Sequence, residues 1–141
     1  MRCARFAATL GFDVEPETLA AIPGALGSFS QVAKERIRVE LFKALQAEEA
    51  QRCVAIMATT GIAQSLSADF DHEKLQDHDF LEALRAQPAQ AHAETPSQTC
   101  TAPLFRLAFL TCHGIGSTMN PRLDFIRSLK LSRNEEQCIA T

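Results

Sequence analysis

The fold is decided by the stretch Val32–Leu45, which reads VAKERIRVELFKAL within a chain of 141 residues. Its apolar residues recur at three- and four-residue spacings, which bring side chains onto one face of an α-helix. These residues are Ile37, Leu41, Ala44 and Leu45. The opposite face carries Arg36, Glu40 and Lys43. The pattern predicts a helix that buries one face in a core and presents charged residues on the other.

Two helices are predicted ahead of this stretch. The first spans residues 2–10 and ends at Gly11, a residue that adopts the left-handed conformation easily; Phe12 is then placed to fold back onto the last turn. One side of that helix groups its larger apolar residues, whereas Arg2 and Arg5 fall towards the other side. The grouped residues are Cys3, Phe6, Ala7 and Leu10. The second helix is predicted to begin near Pro16 and to break at Pro23 and Gly24.

Helical patterns also follow the central stretch. A helix over residues 48–59 is predicted to bury Cys53, Val54, Ile56 and Met57 and to end at Gly61. A weaker pattern of Leu75, Phe80, Leu81 and Leu84 predicts one short helix, and residues 87–101 have the composition of a linker. Two further helices are predicted over residues 103–112 and 121–129. A capping box of Ser132 and Glu135 then predicts the start of a last helix.

The predicted fold class is therefore all-α, an irregular helical bundle with no sheet. Three parts are expected along the chain. Residues 1–64 form a helical segment suited to binding, residues 65–102 form a variable helix and linker, and residues 103–141 form the remaining helices. Phe29, Phe42, Phe105 and Phe109 are expected in the core.

Composition narrows the classes of function. The net charge is −3 with 22% charged residues, so any contact with nucleic acid must come from a local cluster of Lys and Arg. The five cysteines are widely spaced and form no CxxC pair, which predicts neither a disulfide framework nor a zinc site. No apolar run approaches the roughly 20 residues that span a bilayer. We therefore expect a soluble, cytoplasmic protein without a membrane partner.

Three stretches together resemble one enzyme family. Residues 2–12 and 15–22, RCARFAATLGF and EPETLAAI, are similar to the LRAxRFAxxLGF...xPETxxAI segment of class II CCA-adding tRNA nucleotidyltransferases and bacterial poly(A) polymerases. Residues 32–45 resemble the VSxERIRxELxKLL motif later in the same neck region. Residues 103–108 and 129–136, PLFRLA and LKLSRNEE, resemble a pattern in the body of the shorter bacterial members. The resemblance covers about half of the chain.

The resemblance implies the helical neck and body of such an enzyme without its catalytic head. These enzymes extend the 3′ end of tRNA with CTP and ATP, using Mg²⁺ that carboxylates of the head hold. The head's Gly-Ser and Asp-x-Asp signatures do not occur in this sequence, and the base-selecting Glu-Asp-x-x-Arg motif would lie just before Met1. The expectation is a fragment with no catalytic residues or cofactor of its own, inactive alone, whose partners are the acceptor region of tRNA and the missing head.

Four cationic residues are the site residues that the resemblance implies. Arg2 and Arg5 match neck arginines that face the bound nucleotide, and Arg36 and Lys43 match the later motif, which supports the nucleotide pocket and contacts RNA. Guanidinium groups one helical turn apart can bind phosphate oxygens in pairs. Without the family, Arg2 and Arg5 read as a solvated helix face. Arg36, Glu40 and Lys43 likewise read as an ion-pair ladder along one helix.

Two other functions stay open at this stage. The His78–Asp79 pair resembles the metal-binding pair of HD-type phosphohydrolases, but that chemistry needs further His and Asp ligands, and the chain has four His. A scaffold that binds no ligand is the other possibility. A nucleophile at Cys112 or Ser117 near His113 is rejected, because no orienting acid or oxyanion-hole motif accompanies it.

Overall fold

The computed structural model describes residues 1–87, 102–116 and 119–140. Its nine α-helices within these residues are α1 (Arg2–Leu10), α2 (Pro16–Ala25), α3 (Lys34–Gln46), α4 (Ala50–Thr59), α5 (Ile62–Leu66), α6 (His78–Ala86), α7 (Ala102–Gly114), α8 (Met119–Ser128) and α9 (Arg133–Ala140). Two short 3-10 helices span Leu26–Gln31 and Lys74–Gln76. The described residues form no strand, only an isolated bridge between Phe70 and Ile115. The all-α prediction is confirmed. The predicted linker, beyond Gln87, lies outside the described residues.

Helix α3 is the centre of the bundle and packs against α1, α4 and α7. The four apolar residues predicted to form its stripe are its fully buried residues: Ile37, Leu41, Ala44 and Leu45. The helix begins at Lys34, two residues later than predicted, because Ala33 adopts an extended backbone conformation (φ −56°, ψ 132°). The central stretch therefore has the predicted structure.

Helix α1 has the predicted ends but buries a different face. Gly11 follows it in the left-handed conformation, with φ 67°. The buried residues are Ala4, Ala7 and Ala8, whereas Phe6 and Leu10 are 44% and 54% exposed. Phe12 is 64% exposed and does not fold back onto the helix as predicted. Small alanine side chains let α1 pack closely on α3 and α4, so the larger side chains point outward.

Helix α2 passes through the residues predicted to break it. Pro23 lies inside the helix, which continues to Ala25 before the 3-10 helix begins. A proline fixes φ near the helical value and removes one backbone donor, and the cost of that loss is smallest in an exposed helix. None of the residues of α2 is buried. The predicted break was therefore placed too early.

The weak pattern of residues 75–84 forms two elements rather than one helix. Leu75 is buried in the 3-10 helix, and Asp77 then starts α6 by accepting a hydrogen bond from the Phe80 amide at 2.8 Å. The capping box that starts α9 is confirmed. The Ser132 amide donates to Glu135 Oε2 at 2.7 Å, and the Glu135 amide donates to Ser132 Oγ at 3.3 Å.

One buried cation joins two helix ends. The Arg106 side chain comes from α7 and is 1% exposed. Its Nη1 donates to Leu45 O at 2.8 Å and to Ala47 O, at the C-terminal end of α3. Its Nε and Nη2 donate to Gln87 O at 3.2 and 3.1 Å, at the C-terminal end of α6. Helix C-termini leave carbonyl groups without partners and carry partial negative charge, so a guanidinium group suits both ends.

Candidate anion-binding cleft

A surface cleft of about 530 Å³ opens between the start of α1, the Leu26–Gln31 3-10 helix and the first half of α3. Its apolar lining comprises Met1, Phe29, Val32, Ile37 and Val39. Its charged lining comprises Arg2, Glu35, Arg36 and Glu40. The packing of α1 on α3 therefore brings together two arginines from separate predicted motifs, Arg2 and Arg36.

Both carboxylates of the cleft are neutralised by cations that do not line it. Glu40 Oε2 lies 2.7 Å from Arg5 Nε, and Glu35 Oε1 lies 2.6 Å from Lys130 Nζ. The hydrogen bond from Lys130 holds the pKa of Glu35 below its ordinary value, so this carboxylate is ionised and paired at neutral pH. These pairs remove the negative charge that would otherwise repel an anion.

The two arginines of the cleft have no such partners. Among the residues that the structure describes, neither Arg2 nor Arg36 forms an ion pair, and both side chains are exposed. A guanidinium group remains protonated at every relevant pH and presents donors that match carboxylate or phosphate oxygens. The four charged residues of the lining together with Arg5 and Lys130 carry four positive and two negative charges, a net charge of +2, although the chain carries −3.

Arg5 occupies a different position from Arg2. It borders the cleft through Glu40, and its guanidinium carbon lies 4.0 Å from the centroid of the Phe6 ring. The side chains of Arg5 and Glu40 are only 16% and 18% exposed, so this pair is screened less than a pair in open solvent. Arg5 thus holds Glu40 and the Phe6 ring in place.

Lys43 lies two helical turns beyond Arg36 on the same face of α3 and is exposed. It does not line the cleft. The proposed ladder of Arg36, Glu40 and Lys43 is not formed within the described residues, because the carboxylate of Glu40 pairs with Arg5 on another helix. Lys43 extends the positive surface of α3 away from the cleft.

Of the nine residues that line the cleft, only Arg2 and Arg36 were among the sequence-predicted site residues; Phe29 and Val39 are two of those that were missed. Phe29 was expected in the core, and the structure places it half-buried in the cleft wall. Val39 lines the cleft and is 44% exposed. The signal for Val39 was present in the sequence, since it is the one apolar residue between Arg36 and Lys43 on the charged side of α3.

The His78–Asp79 pair lies in the first turn of α6, with His78 Nδ1 3.7 Å from Asp79 Oδ1. Both side chains are almost fully exposed. In residues 1–87, 102–116 and 119–140, no group of three or more His, Cys, Asp or Glu is arranged to hold a metal ion.

The Cys53 thiol and the His113 ring are both engaged in packing. Cys53 is fully buried, and burial raises the pKa of its thiol to about 12, so the thiol is protonated at neutral pH. The His113 ring packs against Phe109, with ring centroids 4.6 Å apart and the ring planes tilted by 40°. Ser117, the other residue of the rejected nucleophile, lies outside the described residues.

Most residues of the cleft lie in a segment of the chain that is similar to a known protein family. Residues 11–72 match the family described as "Probable RNA and SrmB- binding site of polymerase A". The matched segment contains Arg36 and Lys43, whereas Arg2 and Arg5 precede it. It therefore includes the α3 side of the cleft.

Individual relatives extend this similarity along the chain. A CCA-adding enzyme of Levilactobacillus brevis is 39% identical over 87 residues, which are 62% of this chain and 21% of that enzyme. A CCA-adding enzyme of Leuconostoc citreum is 31% identical over 140 residues, which are 99% of this chain and 31% of that enzyme. The chain thus spans less than a third of the length of these relatives. No solved structure matched, and none of the described helices is long and apolar enough to cross a membrane.

Proposed function

Because the chain belongs to the family of CCA-adding enzymes and poly(A) polymerases, we propose that its cleft between α1 and α3 binds phosphate groups during tRNA 3′-end processing. In this proposal the chain contributes a wall of the nucleotide pocket and a surface for the tRNA acceptor region. A catalytic head that carries the carboxylates and Mg²⁺ supplies the transfer of CMP and AMP from CTP and ATP. The relatives named above are CCA-adding enzymes, which supports tRNA as the RNA partner.

The observation that carries the proposal is a pair of arginines in one cleft that form no ion pair with any residue the structure describes. Phosphate binding depends on cations that are free to replace the counterions of the nucleic acid. Arg2 and Arg36 meet that condition in the described structure, since Arg5 and Lys130 neutralise the two carboxylates beside them. The apolar wall of Phe29, Val32 and Val39 supplies a surface of lower polarity, where charge-assisted hydrogen bonds are stronger than in water.

The four site residues have different roles in this proposal. Arg2 and Arg36 both contact phosphate oxygens of the RNA directly, and Arg2 also lies on the side of the nucleotide. Lys43 contacts the RNA backbone beyond the cleft. Arg5 acts as a positioning residue, because its guanidinium group is already bonded to Glu40. The division into residues 1–64, 65–102 and 103–141 stays a prediction, with the binding surface in the first part.

The test is the salt dependence of binding to a tRNA that lacks its terminal CCA. The logarithm of the binding constant falls linearly with the logarithm of salt concentration, by about one unit of slope for each phosphate contact. We expect Arg2→Gln combined with Arg36→Gln to reduce that slope by about two and to weaken binding at low salt at least tenfold. The control is Arg127→Gln, an exposed arginine of α8 outside the cleft, which should leave the slope unchanged.

Parallel salt dependences for the double variant and the original chain would contradict a phosphate-binding role for the cleft. Absence of any binding at low salt would favour the scaffold alternative. A circular dichroism spectrum of each variant shows whether its helices are retained. The substituted side chains are exposed, so their replacement should change stability by less than about 0.5 kcal/mol.

A further inference from the structure

Exposed apolar side chains are concentrated on α1, on α3 and on the residues that flank them. Among the described residues, five large apolar side chains are exposed: Phe6, Leu10, Phe12, Val32 and Val39. All five lie on α1, directly after it, on α3 or just before it, and these two helices pack against each other. Three of them lie beside the cations of the cleft: Val32 and Val39 line it, and Phe6 follows Arg2 on α1. Exposed apolar residues bordered by cations indicate a binding surface.

Phe6 differs from the other four because a cation supports its ring. The Arg5 guanidinium lies 4.0 Å from the ring centroid, and Glu40 holds that guanidinium at 2.7 Å. The ring is still 44% exposed. Phe6 follows Arg2 by four residues, one turn of α1, so both side chains lie on the same side of the helix, about 6 Å apart along its axis. The ring is thus a fixed aromatic surface next to a cleft arginine.

We infer that Phe6 is a stacking platform for an unpaired base of an RNA strand whose phosphates bind Arg2 and Arg36. The inference rests on the proposed function and specifies its ligand, which is single-stranded RNA at this position. Sites for single strands combine a cationic groove with an aromatic ring on which a base stacks, and such stacking tolerates any base. A base inside a duplex is already stacked on both sides, so a duplex leaves no base for this ring.

The positive charge of the surface favours this ligand over a second copy of the chain. In a symmetric dimer this surface would meet the same surface of a second copy, so Arg2, Arg36 and Lys43 would lie close to other cations, and like charges repel. An RNA strand offers both phosphates for these cations and flat apolar faces for the ring. A protein partner on the aliphatic side chains of Leu10 and Val39 is the competing outcome of the test.

The test compares an unstructured oligoribonucleotide with its blunt-ended duplex. Phe6→Ala should weaken binding of the single strand about tenfold and leave duplex binding unchanged. An abasic version of the strand keeps the phosphates and loses the bases, so it should bind the original chain and Phe6→Ala equally. The matched control is Phe12→Ala, because Phe12 is also an exposed phenylalanine (64%) but lies beyond the end of α1. The segment that contains Phe12 is held by Arg52, which donates a hydrogen bond to Asp13 at 2.9 Å.

A fluorescent variant gives a second measurement. The chain contains no Trp, so Phe6→Trp introduces a single indole at the platform. Base stacking on that indole should quench its fluorescence as the single strand is added, whereas Phe12→Trp should show no quenching.

The failure of this inference is distinguishable from the failure of the proposed function. If Phe6→Ala binds the single strand as tightly as the original chain while the Arg2 and Arg36 variant loses salt dependence, the cleft binds phosphate but Phe6 stacks no base. The apolar residues would then be assigned to a protein partner. If the original chain binds neither RNA at low salt, both proposals are overturned.

Discussion

Replacing Arg106 with Met is expected to lower the free energy of unfolding by about 4 kcal/mol. The guanidinium group is 1% exposed and bonds carbonyl groups at the ends of α3 and α6, so its loss leaves several buried acceptors without donors. Each unsatisfied buried acceptor costs about 1–3 kcal/mol, and entry of water recovers part of that cost. Methionine retains much of the side-chain volume, so the loss reflects hydrogen bonds more than a cavity.

The cost of removing the charge of Arg106 from water offsets part of this loss of stability. Burial lowers the pKa of this guanidinium below its ordinary value, which reports the cost of removing the charge from water. No carboxylate accepts a hydrogen bond from it in the described structure; backbone carbonyls do so instead. The expected loss of stability is therefore the free energy of the lost hydrogen bonds minus the cost of desolvating a charge, which the methionine variant does not incur.

Urea unfolding followed by far-ultraviolet circular dichroism measures this effect. The control is Arg85→Met, whose side chain is 49% exposed and pairs with Glu49 and Glu82 on the surface. Exposed ion pairs contribute less than about 1 kcal/mol, so the control should lose little. Equal losses for the two variants would mean that Arg106 does not support the two helix ends.

A second large loss of stability is expected for a substitution at the centre of the bundle. Leu41→Ala removes a side chain that is fully buried on α3 and should lower the free energy of unfolding by about 3 kcal/mol, through lost apolar burial and the cavity left behind. The matched control is Val39→Ala on the same helix. Because Val39 is 44% exposed, its truncation should cost less than about 0.5 kcal/mol.

The same urea titrations compare the two α3 variants. Losses of similar size would contradict the assignment of Leu41 to the core and Val39 to the cleft. Since Val39 lies in the cleft wall, Val39→Ala also provides a folded variant in which one apolar contact of the binding surface is removed.

The features predicted correctly from the sequence are those that local chemistry determines. The apolar stripe of α3 follows from its periodicity alone, and it is the buried face. Gly11 and the pair of Ser132 and Glu135 act within one turn of a helix, so their roles can be recognised without the rest of the fold.

The features that were missed depend on contacts between distant elements. Hydrophobicity favours Phe6 over Ala8 as a core residue, yet close packing of α1 on two neighbours selects the small side chain. The role of Arg106 depends on the convergence of α3 and α6, which no local pattern reveals. The sequence shows an arginine within an apolar stretch, but it does not show which carbonyl groups that arginine binds.

The candidate site likewise combines features that the sequence predicts with features that only the structure reveals. The resemblance selected Arg2 and Arg36, and the structure brings both to one cleft. The neutralisation of Glu35 by Lys130 joins residues 95 positions apart, so the positive charge of the cleft could not be derived from spacing. The exposed Phe6 ring was likewise hidden by the expectation that α1 buries its largest residues.

A photocrosslinking side chain at position 39 tests the central claim, RNA binding at the α1–α3 cleft, most directly. Val39 lines the cleft and is 44% exposed, so a benzophenone side chain there would contact RNA bound to Arg2 and Arg36. The control position is Asp79 on α6, which is fully exposed and outside the cleft. We predict that tRNA lacking its CCA end crosslinks to position 39, and that the crosslink is lost when both arginines are replaced by Gln. Crosslinking of bound tRNA from position 79 but not from position 39 would contradict the account.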